Sequence, residues 1–419
     1  MWSSKTVDAQ QRSGPADSLP RVLALDAARG IAVLGMFAVH VGPQPAVPGG
    51  ESWLTIFQGR SAALFAILAG VSLALMSGGQ RPYTGKAAQR GMVRIAARAV
   101  IVALLGLALA LLQSGIGIML ILTYYGLYFL LALPFLRASA RTLALLAAAW
   151  AIAGPVVSFL IRSRMEQNSF GGSPTPEMLT SLSGLREMAE MLLLTGAYPV
   201  LSWMPFVLAG MALGRLGIRA LQPVSVMLAG AGLMVLGYGG SWLLQHPCGG
   251  RAHLTDLLAH GLSEAGVTDI DLGAIIDAGN LGTVSTTSWW WLTVATPHSG
   301  TPFEVIGATG AAFLVIGALL AITPRAGIAL RPLIAAGSCA LSLYILQAVA
   351  VSVLVPIPDA DAEALPGGIH GPGWPLLALL ALGSLTLATL WRSASRRGPA
   401  EWALHEISWR TAKWAVPVG

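Results

Sequence analysis

Between residues 21 and 391 long apolar runs alternate with short polar or basic connections. At about 1.5 Å rise per residue, runs of this length suit helices that cross the roughly 30 Å hydrocarbon layer of a bilayer. The pattern predicts spans at about 21–42, 60–76, 99–112, 117–136, 142–161, 198–213, 224–244, 302–322, 332–355 and 374–391. The expected fold is therefore an all-α integral membrane protein with about ten transmembrane helices. Residues 1–20 form a polar N-terminal tail, residues 21–391 the transmembrane domain and residues 392–419 a C-terminal tail. A basic connection occupies 78–98, and two longer polar loops occupy about 162–197 and 245–301.

Composition sharpens this reading. The 419 residues are 55% hydrophobic and only 11% charged, with a mean hydropathy of +0.70, which excludes an ordinary soluble protein. The polar start leaves no cleavable signal, so the first span is expected to act as the insertion signal. Alternating sides from a cytoplasmic N-terminus puts 19 of the 25 Lys and Arg residues in cytoplasmic segments. Arg162, Arg164, Arg186 and Arg251 then lie outside, most acidic residues with them, and both termini are cytoplasmic by the positive-inside rule. The net charge of +6 thus has a topological origin and does not call for nucleic acid as a partner. Cys248 and Cys339 fall at different depths, so neither a disulfide nor a Cys-based metal site is expected. The chain is expected in the cell membrane as a multi-pass protein in contact with lipid, with a homodimer as the assembly allowed for. No inverted repeat of the transporter kind is evident.

The first span carries Asp26, Arg29 and His40. Ionisable groups facing lipid are expensive, so three in one span imply a protein-lined or water-filled interior. The step from Arg29 to His40 returns to within roughly 20° of the same helix face at about 100° per residue, so both are predicted to look into one cavity, roughly 16 Å apart. Asp26 and Arg29, three apart, are placed to pair. An imidazole with an ordinary pKa near 6.5 suits a general base at neutral pH, and His40 is the candidate.

Other constellations are less specific. Arg90, Arg94 and Arg98 recur every four residues as a basic stripe suited to phosphate, or simply to topology and anionic lipid. Arg60, beside Ser61 at the outer end of the second span, is placed to bind an anionic acceptor or a tetrahedral oxyanion, or to snorkel. The run 337–347 holds Ser338, Ser342 and Tyr344, residue types that commonly glue membrane helices together. In the large loop His246, His253 and His260 are seven apart, too far for ligands on one metal, so no metal is predicted. An amphipathic surface segment accounts for them, and Trp289, Trp290 and Trp291 suit an interfacial anchor ahead of a sugar-stacking platform.

The run Leu25-Asp26-Ala27-Ala28-Arg29-Gly30-Ile31-Ala32, with His40 after ten intervening residues, resembles the first-helix signature of bacterial membrane acyltransferases that modify cell-surface sugars. It is also similar to the heparan-α-glucosaminide N-acetyltransferase branch and its uncharacterised bacterial relatives. In the sugar O-acyltransferases the matching Arg and His are essential. In the N-acetyltransferase branch the matching position is usually Asn, with a catalytic His in the next outer loop, and here 41–58 contains none. An Arg-rich element after the second span, 337–347, 296–302 with His298 as the second-choice base, and 397–402 resemble further stretches of these relatives. The resemblance implies a membrane acyltransferase that moves an acyl group, expected to be acetyl, from cytosolic acyl-CoA to a sugar or cell-envelope glycan on the outer side. His40 would be the base, Arg29 with Asp26 would position the donor or hold the helices, and Arg90, Arg94 and Arg98 would hold donor phosphates. Arg60, Ser61, His298 and Tyr344 are candidates at the acceptor or oxyanion. Acyl-CoA would be a co-substrate, with no tightly bound cofactor. The alternative is a transporter or exporter in which Asp26, Arg29 and His40 form a proton or substrate path, and a third is a non-catalytic scaffold.

Overall fold

The computed structural model describes residues 22–43, 53–112, 119–165, 171–264, 270–354, 373–395 and 397–417, and among these it contains helices and turns but no strand. In chain order the helices are α1 Leu23–Val41, α2 Arg60–Met76, α3 Gly85–Ala110, α4 Leu122–Ala132, α5 Ala140–Arg162, α6 Leu182–Glu190, α7 Val200–Leu216 and α8 Pro223–Met234. They continue with α9 Gly240–Gln245, α10 Gly250–Glu264, α11 Leu272–Asp277, α12 Pro302–Ala326, α13 Arg331–Ser338, α14 Ala340–Leu354, α15 Trp374–Ala394 and α16 Pro399–Ala415. This is an all-α membrane protein. Among the described residues, seven helical segments are long and apolar enough to cross a bilayer, two bent pairs raise the number to nine, and the predicted span at 117–136 is the shorter apolar stretch Leu122–Phe135.

The bent pairs were not foreseen as breaks. Leu182–Thr195 meets α7 at 59°, so part of the segment expected as the loop 162–197 is helical, and α13 meets α14 at 79°. At the second break the Ser338 hydroxyl bonds back to the Ala335 carbonyl (2.7 Å). The first amides of α14 are taken by Glu401, whose carboxylate accepts from Leu341 N (2.6 Å), Ser342 N (3.3 Å) and Ser342 Oγ (2.6 Å). A helix end inside a bundle needs such partners, and here a side chain distant in sequence supplies them.

The bundle is built on α1, α2 and α7, whose residues are mostly buried. Lipid and protein interiors are equally apolar, so small residues that let backbones approach decide which helices pair. At the α2–α7 crossing a Cβ on Gly70 would meet Val207 O at 2.1 Å, and one on Gly210 would meet Ile67 O at 1.9 Å. One buried guanidinium then ties three helix ends together. Arg215 donates to Ala74 O (2.8 Å), Gly79 O (2.6 Å), Ser77 Oγ (2.7 Å) and Leu136 O.

α3 begins at Gly85, earlier than the apolar run at 99–112 that marks its span, so the Arg stripe rides on the same continuous helix. Residues 399–415, within the expected tail, form α16, which packs along α3. Residues 1–21, 44–52 and 355–372 lie outside the described residues, so the expected N-terminal tail and most of the two loops that contain the latter segments do too.

Candidate functional site

α1 positions two polar groups at different levels of the bundle. At the first, Asp26 is buried and pairs with Arg29, Oδ1 to Nη1, at 2.6 Å. Arg29 Nη2 donates to Ser72 Oγ (2.9 Å) on α2, and that hydroxyl passes its own hydrogen to Leu68 O (2.7 Å). A guanidinium held on two sides in this way has its fork fixed in orientation.

Both residues line a cavity of about 230 Å³ together with Ser72, Arg98, Tyr125, Tyr344 and Glu401. Its remaining wall includes Phe65, Leu68, Met76, Phe129 and Leu341, so a few polar groups face a largely apolar surface. Tyr344 is anchored by Ile121 N, which donates to its hydroxyl at 3.3 Å. Asp26 Oδ2 and the Tyr125 hydroxyl are buried and, among the described residues, have no hydrogen-bond partner. Unmatched buried polar atoms cost stability, and beside a cavity they mark groups able to serve a ligand.

His40 occupies the second level. Its Nδ1 lies 2.8 Å from Gln347 Nε2 on α14, and the same amide nitrogen donates to Met36 O at 3.4 Å. His40 is not among the residues lining the 230 Å³ cavity. Of the two residues expected to look into one cavity, Arg29 lines this one and His40 does not. Between the two on α1, Val33, Met36 and Phe37 are buried apolar residues.

The level of His40 holds further polar residues. His298 lies in the loop before α12, its ring edge-on to Tyr198 (5.5 Å) and stacked on Trp203 (6.0 Å). Burial and the nearby His40 hold the His298 imidazole down at about 4. Glu304, in the first turn of α12, accepts from His298 N and Gly300 N (both 2.6 Å) and from Ser299 Oγ (3.2 Å). Arg60 donates to the Tyr238 hydroxyl (3.0 Å) and lies over the Tyr238 ring. Ser61 is buried at the α1–α2 crossing, where its hydroxyl fills the space of a missing Cβ at Gly35.

Of the basic stripe, Arg98 alone lines the cavity. Arg90 donates to Val416 O (2.8 Å) and Arg94 to His405 Nδ1 (2.7 Å), so both face α16. Sequence reasoning missed Ser72, Tyr125, Gln347, Glu304 and Glu401. For Glu304 a signal existed, since Thr301-Pro302-Phe303-Glu304 is a capping box and Thr301 Oγ1 accepts from Glu304 N at 3.2 Å.

No curated protein matches the chain. Residues 270–411, which carry His298, Glu304, Tyr344, Gln347 and Glu401, match a protein family of unknown function, DUF418. Residues 21–237 match the family described as heparan-alpha-glucosaminide N-acetyltransferase, catalytic. That match spans half of the chain and contains the whole of α1 with Asp26, Arg29 and His40, and by it this membrane protein belongs to the heparan-alpha-glucosaminide N-acetyltransferase family.

Proposed function

We propose that the protein transfers an acetyl group from cytosolic acetyl-CoA to a sugar or cell-envelope glycan hydroxyl or amine on the outer side of the cell membrane. The observation that carries this reading is the cavity beside Arg29. At about 230 Å³ it is smaller than the roughly 300–1,000 Å³ of drug-sized sites, so it suits the thin pantetheine arm of the donor and not the nucleotide, with the acetyl end reaching beyond it to the level of His40. Arg29 and Arg98 offer charged donors, and the free Asp26 Oδ2 and Tyr125 hydroxyl suit the amides of pantetheine. His40, whose Nδ1 meets the Gln347 side-chain amide, is the base that takes the acceptor's proton when that amide is turned to accept from Nδ1–H. Family membership supports acetyl transfer as the chemistry, and the glucosaminide in the family's name favours an amino sugar as acceptor.

The test is direct. Purified protein in nanodiscs should bind acetyl-CoA and release CoA thiol from it, and tritiated acetyl should appear on glucosamine-containing acceptors. Absence of both binding and thiol release counts against the proposal.

One observation favours a transporter instead. The 79° break between α13 and α14 abuts the cavity through Gly337, Ser338 and Ala340, and broken helices often line substrate paths. In proteoliposomes that reading requires solute flux driven by a proton gradient, without acetyl-CoA.

A further inference from the structure

The loop before α12 is fastened far more heavily than a connection requires. Thr301 Oγ1 donates to Val294 O (2.5 Å), Asn280 N to Pro297 O (2.9 Å) and Gly282 N to His298 O (2.9 Å). The Glu304 carboxylate gathers two amides and a hydroxyl of the same loop. The connection into α2 lies against this knot, since a Cβ on Gly59 would lie 3.2 Å from Glu304 Oε1 and 3.4 Å from His298 N.

The fastening holds His298 in an unfavourable backbone conformation. At φ +56° it is the one non-glycine residue with positive φ among the described residues. Such a conformation persists where surrounding structure over-determines it, and it recurs at functional sites. What it achieves here is placement of the ring between Trp203 and Tyr198. The imidazole keeps Nδ1 buried and, among the described residues, without a partner. His40 is close enough for its charge to be felt at His298.

We propose that His298 is a second catalytic residue, whose Nδ1–H donates a hydrogen bond to the oxyanion that forms on the acetyl carbonyl. The proposal rests on the acetyl-transfer reading, with His40 as the base. The acceptor oxygen or nitrogen bonds to the carbonyl carbon as its proton passes to His40, and the carbonyl π pair moves onto oxygen, where His298 meets it. Collapse of that adduct breaks the C–S bond, and the leaving thiolate takes the proton from His40. An imidazole held at about 4 by burial is neutral at pH 7, so one ring nitrogen carries a hydrogen to donate. A neutral imidazole is used as an electrophile in this way elsewhere. Fixed donors aimed at developing charge in a dry site are a large source of rate.

The experiment compares His298→Gly with His298→Asn, because both residues tolerate positive φ and Asn alone returns an N–H donor to the site. Each variant, purified in nanodiscs, is assayed for CoA thiol release from acetyl-CoA with water as acceptor, and for melting temperature. His298→Gly should lower kcat by about 10²–10³, the usual cost of one oxyanion donor, with KM for acetyl-CoA unchanged, while His298→Asn stays within about tenfold of the starting protein. Equal activity of the Gly variant overturns the assignment. Equal losses in both variants, with melting temperatures falling in parallel, overturn it in favour of packing. An unaltered protein that releases no thiol overturns the acetyl-transfer reading itself, and this assignment with it.

Discussion

Gly337 lies against the main chain of Asp26 so closely that a Cβ at 337 would fall 1.6 Å from the Asp26 carbonyl oxygen. Gly30, one turn further along α1, meets Leu333 O in the same manner at 2.3 Å. The two glycines let α13 seat on α1 beside the ion pair, and the break at Cys339 follows directly after. Gly337→Ala should force the helices apart at a cost of at least about 1–3 kcal/mol, the usual range for overpacking. A lowered melting temperature in nanodiscs and weaker acetyl-CoA binding are the expected readouts. A variant that melts like the parent would contradict the close approach.

The Asp26–Arg29 pair separates a stability role from a functional one. Removing one member of a buried pair costs about 3–5 kcal/mol, and less is expected here because the Arg29 side chain is 24% exposed. Asp26→Asn should therefore destabilise, and the double variant Asp26→Asn/Arg29→Gln should recover much of the loss, since no charge is then left unpaired. Thiol release should stay low in the double variant. Recovery of activity along with stability would make the pair a packing device only.

The basic stripe divides into two tasks. Arg90 and Arg94 hold α16, and Arg98 faces the cavity. Reversing Arg90 and Arg94 to Glu should loosen α16 and expose it to limited proteolysis. Arg98→Gln should leave α16 protected and weaken acetyl-CoA binding by about 1.5–3 kcal/mol, the range for one charge-assisted contact. If reversal of Arg90 and Arg94 weakens binding while α16 stays protected, the donor phosphates use the stripe directly.

Much of this was legible in the sequence, and the limit was physical. Apolar runs marked the helices because a bilayer demands about 20 apolar residues per span. The Asp26–Arg29 pair was legible because i,i+3 spacing is local geometry. The break at Cys339 was not, because 332–355 is apolar throughout and its interruption depends on Glu401, some 60 positions away in the chain. Arg90 and Arg94 read as a stripe for phosphate or for topology and anionic lipid for a related reason, since nothing local to α3 announces that α16 returns to cover it. Gln347 sat in a run read as packing, and only the tertiary fold brings it to His40.

Sidedness offers a further prediction, with both termini cytoplasmic and the loop 245–301 outside. Cys248 is exposed and Cys339 is buried, so the native chain already carries one accessible thiol. An impermeant maleimide added to intact cells should label Cys248. In a Cys248→Ala background, Ala415→Cys should label only after the membrane is opened. Labelling of both positions from one side would discard the assigned orientation.

His40 is where the proposed mechanism is most exposed to test. As a base it must present Nε2 with a free lone pair, which places its proton on Nδ1. In the arrangement observed, Gln347 Nε2 donates to both Met36 O and Nδ1, which puts the imidazole proton on Nε2 instead. Turning the amide over exchanges its oxygen and nitrogen without moving the rest of the side chain, and Oε1 then accepts from Nδ1–H at the cost of a weak 3.4 Å contact. Gln347→Glu removes the choice, because a carboxylate can only accept, and it should keep or raise thiol release at neutral pH, whereas Gln347→Leu should lower it. His40→Ala and His40→Asn should both reduce transfer by about 10²–10⁴, the usual range for a general base, with acetyl-CoA binding nearly intact. Asn is the sharper variant, since it fills much of the site and hydrogen-bonds but cannot take a proton. Substantial activity in His40→Asn would move the base to another group, His298 first, and a proton-driven flux lost in both variants would support the transporter reading.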